Sequence, residues 1–265
     1  MSRWTFKIGL SLVILFIALA IFAPWLRLHS PDQFFLDAQL ALPSKSFWFG
    51  QDAFGRCIYS RILYGARVSM GIGLAVVSIS LAIGLIIGIG AGWKGGVFDL
   101  LFSFVSDIFL AFPGFLLAIA LAAFIGPSIK NVIFVLSFLG WVGYARLARG
   151  LVLGLKEKEY VSASFSLGAS SLRLILKHLL PNMLGPMMVQ ATFGMAGVIL
   201  VESSLSFLGV GIPVEIPSWG NMLDQGVSYL LIAPHLSIFP GLFIMGVVLG
   251  FNFLGDGLRD RWDPR

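Results

Sequence analysis

The stretch VSMGIGLAVVSISLAIGLIIGIGAGW, residues 68–93, carries no charge over 26 residues. A helix crosses the bilayer core in about 20 apolar residues. Inside lipid such a run must satisfy its own backbone hydrogen bonds, so it is read as a membrane-spanning helix. Ser80, Gly84, Gly88 and Gly92 recur along it every four residues and share one face. Residues that small let another helix backbone come close, so the stripe predicts packing inside a bundle in preference to a pore lining.

Five further apolar runs follow the same logic: residues 8–26, 100–125, 129–147, 183–205 and 233–254, the second of them interrupted by Asp107 and Pro113. Six spans predict an all-α, polytopic membrane protein with both termini on one side. Composition agrees, with 58% hydrophobic and 12% charged residues and a mean hydropathy of +0.93, against about 45–50% apolar and about 25% charged in soluble domains. Little length remains for a separate soluble domain. The net charge of +5 is scattered between apolar runs and builds no basic stripe, which argues against nucleic-acid binding. A single cysteine, Cys57, excludes an intramolecular disulfide and a cysteine-based metal cluster. Ala18-Leu19-Ala20 mimics a signal-cleavage site, but the first run exceeds the usual signal core of about 7–15 residues, so a retained span is expected.

Lysine and arginine mark the cytoplasmic side of a membrane protein. With the N-terminus inside, Arg3, Lys7, Lys94, Arg146, Arg149, Lys156, Lys158, Arg173, Lys177, Arg259, Arg261 and Arg265 fall in the cytoplasm, twelve of the 18 basic residues. This predicts cytoplasmic N- and C-termini. Arg56, Arg61 and Arg67, with Arg27 and Lys45, run against the pattern. Residues 56–67 are therefore read as an interfacial helix with Ile58, Ile62 and Leu63 toward lipid or protein and the guanidinium groups snorkelling to water.

Motifs for catalysis are missing from the sequence. Residues 50–57, GQDAFGRC, imitate a phosphate-cradling loop, but Arg56 stands for its lysine and Cys57 for its magnesium-binding hydroxyl, and no strand is expected before it. No metalloprotease helix, nucleophile elbow or Cys/His ligand spacing appears. Asp107 and Glu202 lie within or beside apolar runs, where an ionised group costs at least about 2.5–3.5 kcal/mol at a helix centre. Each is read either as a carboxylate paired with a neighbouring helix or as part of a translocation path. Pro113, which lacks a backbone donor, predicts a kink suited to a gate.

Residues 159–182, EYVSASFSLGASSLRLILKHLLPN, form a charged, helix-prone segment between two spans. Tyr160, Ala163 and Leu167 share one face of a first helix, with Glu159 in its opening turn. Gly168 ends it in a left-handed conformation. Ser170 or Ser171 caps a second helix with an apolar stripe at Leu172, Ile175, Leu176 and Leu179 and with Arg173 and Lys177 on another face. Pro181 disfavours a helical Leu180 and re-aims the chain. The pattern predicts a rigid two-helix elbow, the second helix lying on the bundle and the first exposed for a partner.

This segment resembles the cytoplasmic loop of ATP-binding cassette importer permeases, whose pattern is Glu-Ala-Ala, three residues, Gly, nine residues, then Ile-x-Leu-Pro. Here Ser162-Ala163-Ser164, Gly168 and His178-Leu179-Leu180-Pro181 take those places, with serine for the glutamate. Phe54 through Arg61, Tyr64 through Ser69, Asp107 with Phe112-Pro113, Gly143-Tyr144-Ala145-Arg146, Leu205 through Gly211, Pro217 through Met222 and Gly255 through Asp260 resemble, in order, the second permease subunit of dipeptide, oligopeptide and nickel importers.

The resemblance implies a type I importer permease fold in the inner, cytoplasmic membrane, divided as residues 1–67 (first span and external segment), 68–256 (transport core, coupling loop 152–182) and 257–265 (tail). It implies a homologous second permease, two cytoplasmic ATP-binding subunits and an extracytoplasmic substrate-binding protein as partners. The chain itself would need no cofactor and hold no catalytic or metal site. Glu159, Tyr160, Ala163, Leu167, Gly168, Ala169, Arg173 and Pro181 would couple to an ATPase. Asp107, Pro113 and Glu202 would serve the path or gate, and Pro217, Trp219 and Asn221 would meet the binding protein. Small peptides are the expected cargo. Nickel or a metal chelate is the alternative within the family, and a secondary transporter, a membrane scaffold or an exporter are the alternatives outside it.

Overall fold

In the computed structural model, which describes residues 2–262, helices account for the apolar runs one by one. The ending Asp263-Pro264-Arg265 and the side chain of Arg3 lie outside that description. Four single helices have the length and hydropathy of a span: α1 (Ser2–Leu26), α2 (Ile58–Lys94), α5 (Ile129–Lys156) and α10 (His235–Trp262). A fifth span runs without interruption from α7 (Ser171–Leu174) through a π-helical turn (Ile175–Leu179) into α8 (Leu180–Phe207). The sixth run is broken into α3 (Gly96–Ala111) and α4 (Gly114–Ile125), bent by 82°. Two short helices lie outside the spans, α6 (Glu159–Ser166) and α9 (Trp219–Val227). Much of the apolar surface of the spans, such as Leu74, Ile86 and Phe124, faces outward and not into a core, as expected where lipid is the solvent.

The stripe on α2 packs on α5. A Cβ added to Gly84 would stand 2.5 Å from Tyr144 Cβ and 2.9 Å from the backbone nitrogen of Ala145, and Gly92 meets Val152 in the same way. Ser80 sits opposite Gly140. Because Ser80 pairs with Gly140 and Gly92 with Val152, the two helices run parallel. On the other side α1 lies antiparallel along α10, where Gly246, Gly250 and Gly257 admit Phe16, Leu12 and Phe6. The end of α10 reaches the start of α8, with Trp262 against Gly185. Both ends of the described chain, Lys94 and the α6–α7 elbow therefore gather at one end of the bundle.

Two expectations are corrected here. Residues 58–67 are not a separate interfacial helix but the first turns of α2. Ile58, Ile62 and Leu63 are buried in protein, and Arg61 is 0% exposed, so its guanidinium does not reach water. It lies 3.4 Å from the Pro31 carbonyl and 3.8 Å from an Asp52 carboxylate oxygen. Asp52 Oδ1 accepts from the backbone N–H groups of Phe54 and Arg56, and its Oδ2 pairs with Arg56 Nε at 2.7 Å. Arg56 also donates to Gln225 Oε1 at 2.8 Å. Residues 50–57 thus form a buried polar knot that seats the start of α2, with neither arginine turned toward a phosphate.

Pro113, second, breaks its helix outright. Phe112 is extended (φ −100°, ψ 143°), as a residue before proline prefers, and Pro113 caps a new helix. At 1.5 Å per residue, α3 and α4 are about 24 and about 18 Å long, each short of a core of about 30 Å.

If the Gly84 contact sets the α2–α5 distance, Gly84→Ala should destabilise the protein by about 1–3 kcal/mol through overpacking. Gly71→Ala, on the open side of the same helix, should not. Thermal unfolding of the two variants in detergent separates them, and equal melting temperatures would refute the seam.

Candidate coupling elbow and translocation face

α5 ends at Lys156, whose Nζ donates to the Gly92 carbonyl at 3.2 Å and ties the close of α5 to the close of α2. Only Glu157 and Lys158 separate it from α6. Val161 alone in α6 is buried; Tyr160, Ala163, Phe165 and Leu167 face outward, Leu167 with 89% of its surface exposed. This apolar face stands beside charged residues at Lys156, Glu157, Lys158 and Glu159, outside the spans. Gly168 follows with φ +85°, a left-handed conformation open to glycine, and Ser170 caps α7 by accepting from the Arg173 N–H at 3.4 Å. Glu159, Gly168 and Arg173 are exposed and Ala169 is half-buried.

The second helix of the elbow differs from its expected register. Leu174 and Leu179 are the buried residues, while Leu172 and Leu176 are exposed. The cause is the π-helical turn: Leu180 N–H bonds to the Ile175 carbonyl, one residue farther back than in an α-helix, so Leu174 and Leu179 fall on one face. That wide turn also accommodates Pro181, which has no N–H to give and whose ring would crowd the preceding carbonyl in a regular helix. Leu180 is helical (φ −54°, ψ −46°), and the chain passes through the proline without being re-aimed.

The expected path residues are not brought together. Asp107 Oδ1 accepts from Arg146 Nη2 at 3.0 Å, an ion pair between α3 and α5 with both side chains at least half exposed. A second pair, Asp99 with Arg149, is bidentate and joins the first turn of α3 to α5. Glu202 is fully buried near the end of α8, where Ser206 Oγ donates to its Oε1 at 3.0 Å and accepts from the Ile212 N–H at 3.2 Å. That arrangement fastens the loop after α8.

Pro217, Trp219 and Asn221 are also corrected. All three are buried in this chain, Trp219 with none of its surface exposed. The indole wedges between α1, α2 and α10: its Nε1 donates to the Ile62 carbonyl at 3.1 Å, and its ring meets Phe16 edge-on at 6.2 Å. Gly65 makes room for it. Asn221 Nδ2 donates to the carbonyls of Ile212, Pro213 and Ile216, folding the loop onto α9. These residues hold the loop from beneath; Val214 and Glu215 form its exposed rim.

Two clefts meet on α8. One of about 640 Å³ opens between α5, α8 and α10 near Pro181, Arg259 and Trp262; the other, about 300 Å³, lies between α2, α4, α5 and α8, against Phe115 and Tyr144. Gln190 lines both. Sequence reading passed over it because a lone carboxamide in an uncharged run changes neither hydropathy nor periodicity, although a polar group at that depth is itself a signal.

Residues 84–265 match the family model described as binding-protein-dependent transport system inner membrane component. The chain belongs to this family. A dipeptide transport system permease protein of Alkalihalophilus pseudofirmus is 43% identical over 97% of this chain and 85% of its own length. A glutathione transport system permease protein of Shigella dysenteriae is 42% identical over 96% of this chain and 84% of its own. A chain of the MetNI methionine ABC transporter, solved in inward-facing conformations, aligns with a TM-score of 0.59 over 78% of this chain and 98% of that one, at 19% identity. The fold is that of a type I importer permease, and the chain is a multi-pass transport component.

Trp219→Ala should cost about 3–5 kcal/mol of stability, as for a large aromatic deleted from a core, whereas Glu215→Ala on the rim should stay within about 0.5 kcal/mol. Melting of the two variants in detergent decides whether the indole is a support or a surface contact.

Proposed function

We propose that this chain pairs with a homologous permease, two ATP-hydrolysing subunits and an extracytoplasmic binding protein to move short peptides inward across the cytoplasmic membrane. The observation that carries the reading is the α6 surface: an apolar face outside the spans, next to four charged residues, joined to α5 through Glu157 and Lys158 on one side and through the turn at Gly168 to the continuous α7–α8 helix on the other. Exposed apolar patches of this kind mark docking sites. Leu167, Tyr160 and Ala163 enter a groove of an ATPase, and Glu159, Ala169 and Arg173 flank the contact. ATP is bound by that partner, and this chain holds no cofactor of its own.

The end carrying the elbow is cytoplasmic. Lys7, Lys94, Lys156, Lys158, Arg173, Lys177, Arg259 and Arg261 belong to it, and both termini go with it. At the other end Arg56 and Arg61 are buried and paired internally with Asp52, with Asp32 also near Arg61, which removes them from the surface charge that orientation follows. The binding protein meets the opposite end, over the rim at Val214 and Glu215. Relatives named for dipeptide, peptide and glutathione transport favour a peptide cargo over nickel.

Gly168→Val tests the coupling. A β-branched residue in a left-handed conformation is strained by about 1–2 kcal/mol, enough to reshape the elbow without unfolding the spans. The expected outcome is loss of peptide uptake together with weakened retention of the ATPase subunits on purification. Full uptake by the variant would refute the coupling role.

A further inference from the structure

Gln190 is the middle residue of the uncharged stretch 179–201 within the fifth span, far from either end of a run long enough to cross the bilayer. Its carboxamide is partly exposed and makes no hydrogen bond or ion pair with any described residue. A polar side chain at that depth is costly unless it meets water or a ligand, and marks a functional surface by default. Asn182, Pro186, Gln190, Gly194, Gly197 and Val201 follow one another at steps of four and three residues and so share one face of α8. The first three line the cleft at the elbow end, the last four the cleft beside α4, and Gln190 is common to both. Above it the wall carries no side-chain bulk at two positions: a Cβ at Gly197 would meet nothing within 4 Å, and Gly194 is where the Tyr144 hydroxyl rests. The cleft beside α4 contains no charged residue.

We infer that Gln190 is a specificity-determining residue on the transport path, reading the backbone amide of a passing peptide. A primary carboxamide offers both a donor and an acceptor, the complement of a peptide C=O and N–H. A neutral group holds such a substrate without trapping its charged termini, which suits a site that must also release it. Gly197, with open space at its Cα, leaves width for a peptide backbone as it passes, while Gly194 makes room for the Tyr144 hydroxyl. The inference rests on the importer reading above and names the group that discriminates cargo within it.

The test uses the whole complex with its binding protein, reconstituted in liposomes, in wild-type form and with Gln190→Leu. Import of a dipeptide is compared with import of its depsipeptide analogue, in which an ester replaces the amide N–H. The wild type is expected to prefer the amide, and Gln190→Leu to reduce that preference by about 3- to 10-fold, the range of one neutral hydrogen bond. The binding protein is the same in both complexes, so its own preference cancels in the ratio. An unchanged amide-to-ester ratio would overturn the inference, as would loss of the second permease from the purified Gln190→Leu complex, which would assign the carboxamide to the subunit interface. Failure of the wild-type complex to import any peptide would instead sink the importer reading.

Discussion

The separation of α2 and α5 is fixed by side chains too small to hold them apart. In lipid the hydrophobic effect does not drive helices together, and close van der Waals contact is the main attraction left. Gly84, Gly88 and Gly92 turn one wall of α2 into bare backbone, and α5 lies against it with Ala145, Ala148 and Val152. The rest is positioned from that seam. The end of α5 carries α6, its middle carries the arginines that hold α3 through Asp99 and Asp107, and its inner face supplies Tyr144 to the cleft on α8. A change in the seam would shift elbow and cleft together, because no flexible linker lies between α5 and α6.

At the far end the stabilising interaction is of another kind. Asp52 gathers two arginines and two backbone N–H groups in a site with almost no solvent. Burying such charges is unfavourable unless each finds partners, and removing one partner from a buried pair costs about 3–5 kcal/mol. The knot therefore specifies one arrangement of the segment between α1 and α2 more than it adds net stability. It also explains a charge pattern that looked inconsistent. A basic residue paired inside the protein does not report the side of the membrane, so the excess of lysine and arginine at the elbow end is sharper in three dimensions than in the sequence.

What was legible in the sequence follows from how local each signal is. The spans, the packing stripe and the turn at Gly168 depend on runs of apolar residues, on a four-residue repeat and on a glycine between helix-formers, and they stand in the structure where they were expected, except that the run 100–125 is broken at Pro113 into two helices. Errors arose where a side chain's partner is distant in the chain. Trp219 reads as an exposed loop residue until Gly65 and Ile62, more than 150 positions earlier, are seen to receive it. Arg61 reads as an amphipathic anchor until Asp52 and the Pro31 carbonyl close over it. The stripe on the second helix of the elbow was misplaced for a different reason: periodicity assumes 3.6 residues per turn, and one π turn rephases everything beyond it.

That π turn lies between α6 and the clefts, which gives its placement a mechanical consequence. α7 and α8 are one continuous helix except for the widened turn at Ile175–Leu179. Such turns hold an extra residue in a helix, with weaker hydrogen-bond alignment than its neighbours, and recur at functional sites. A load applied to α6 reaches α8 through this turn, while α2 and α5 are held by the glycine seam. The clefts thus have two walls joined to the elbow, α5 through Glu157 and Lys158 and α8 through the widened turn. α4, set free of α3 by the break at Pro113, completes the enclosure as a separate short piece. Gln190 stands on the α8 wall, beyond the widened turn from the elbow.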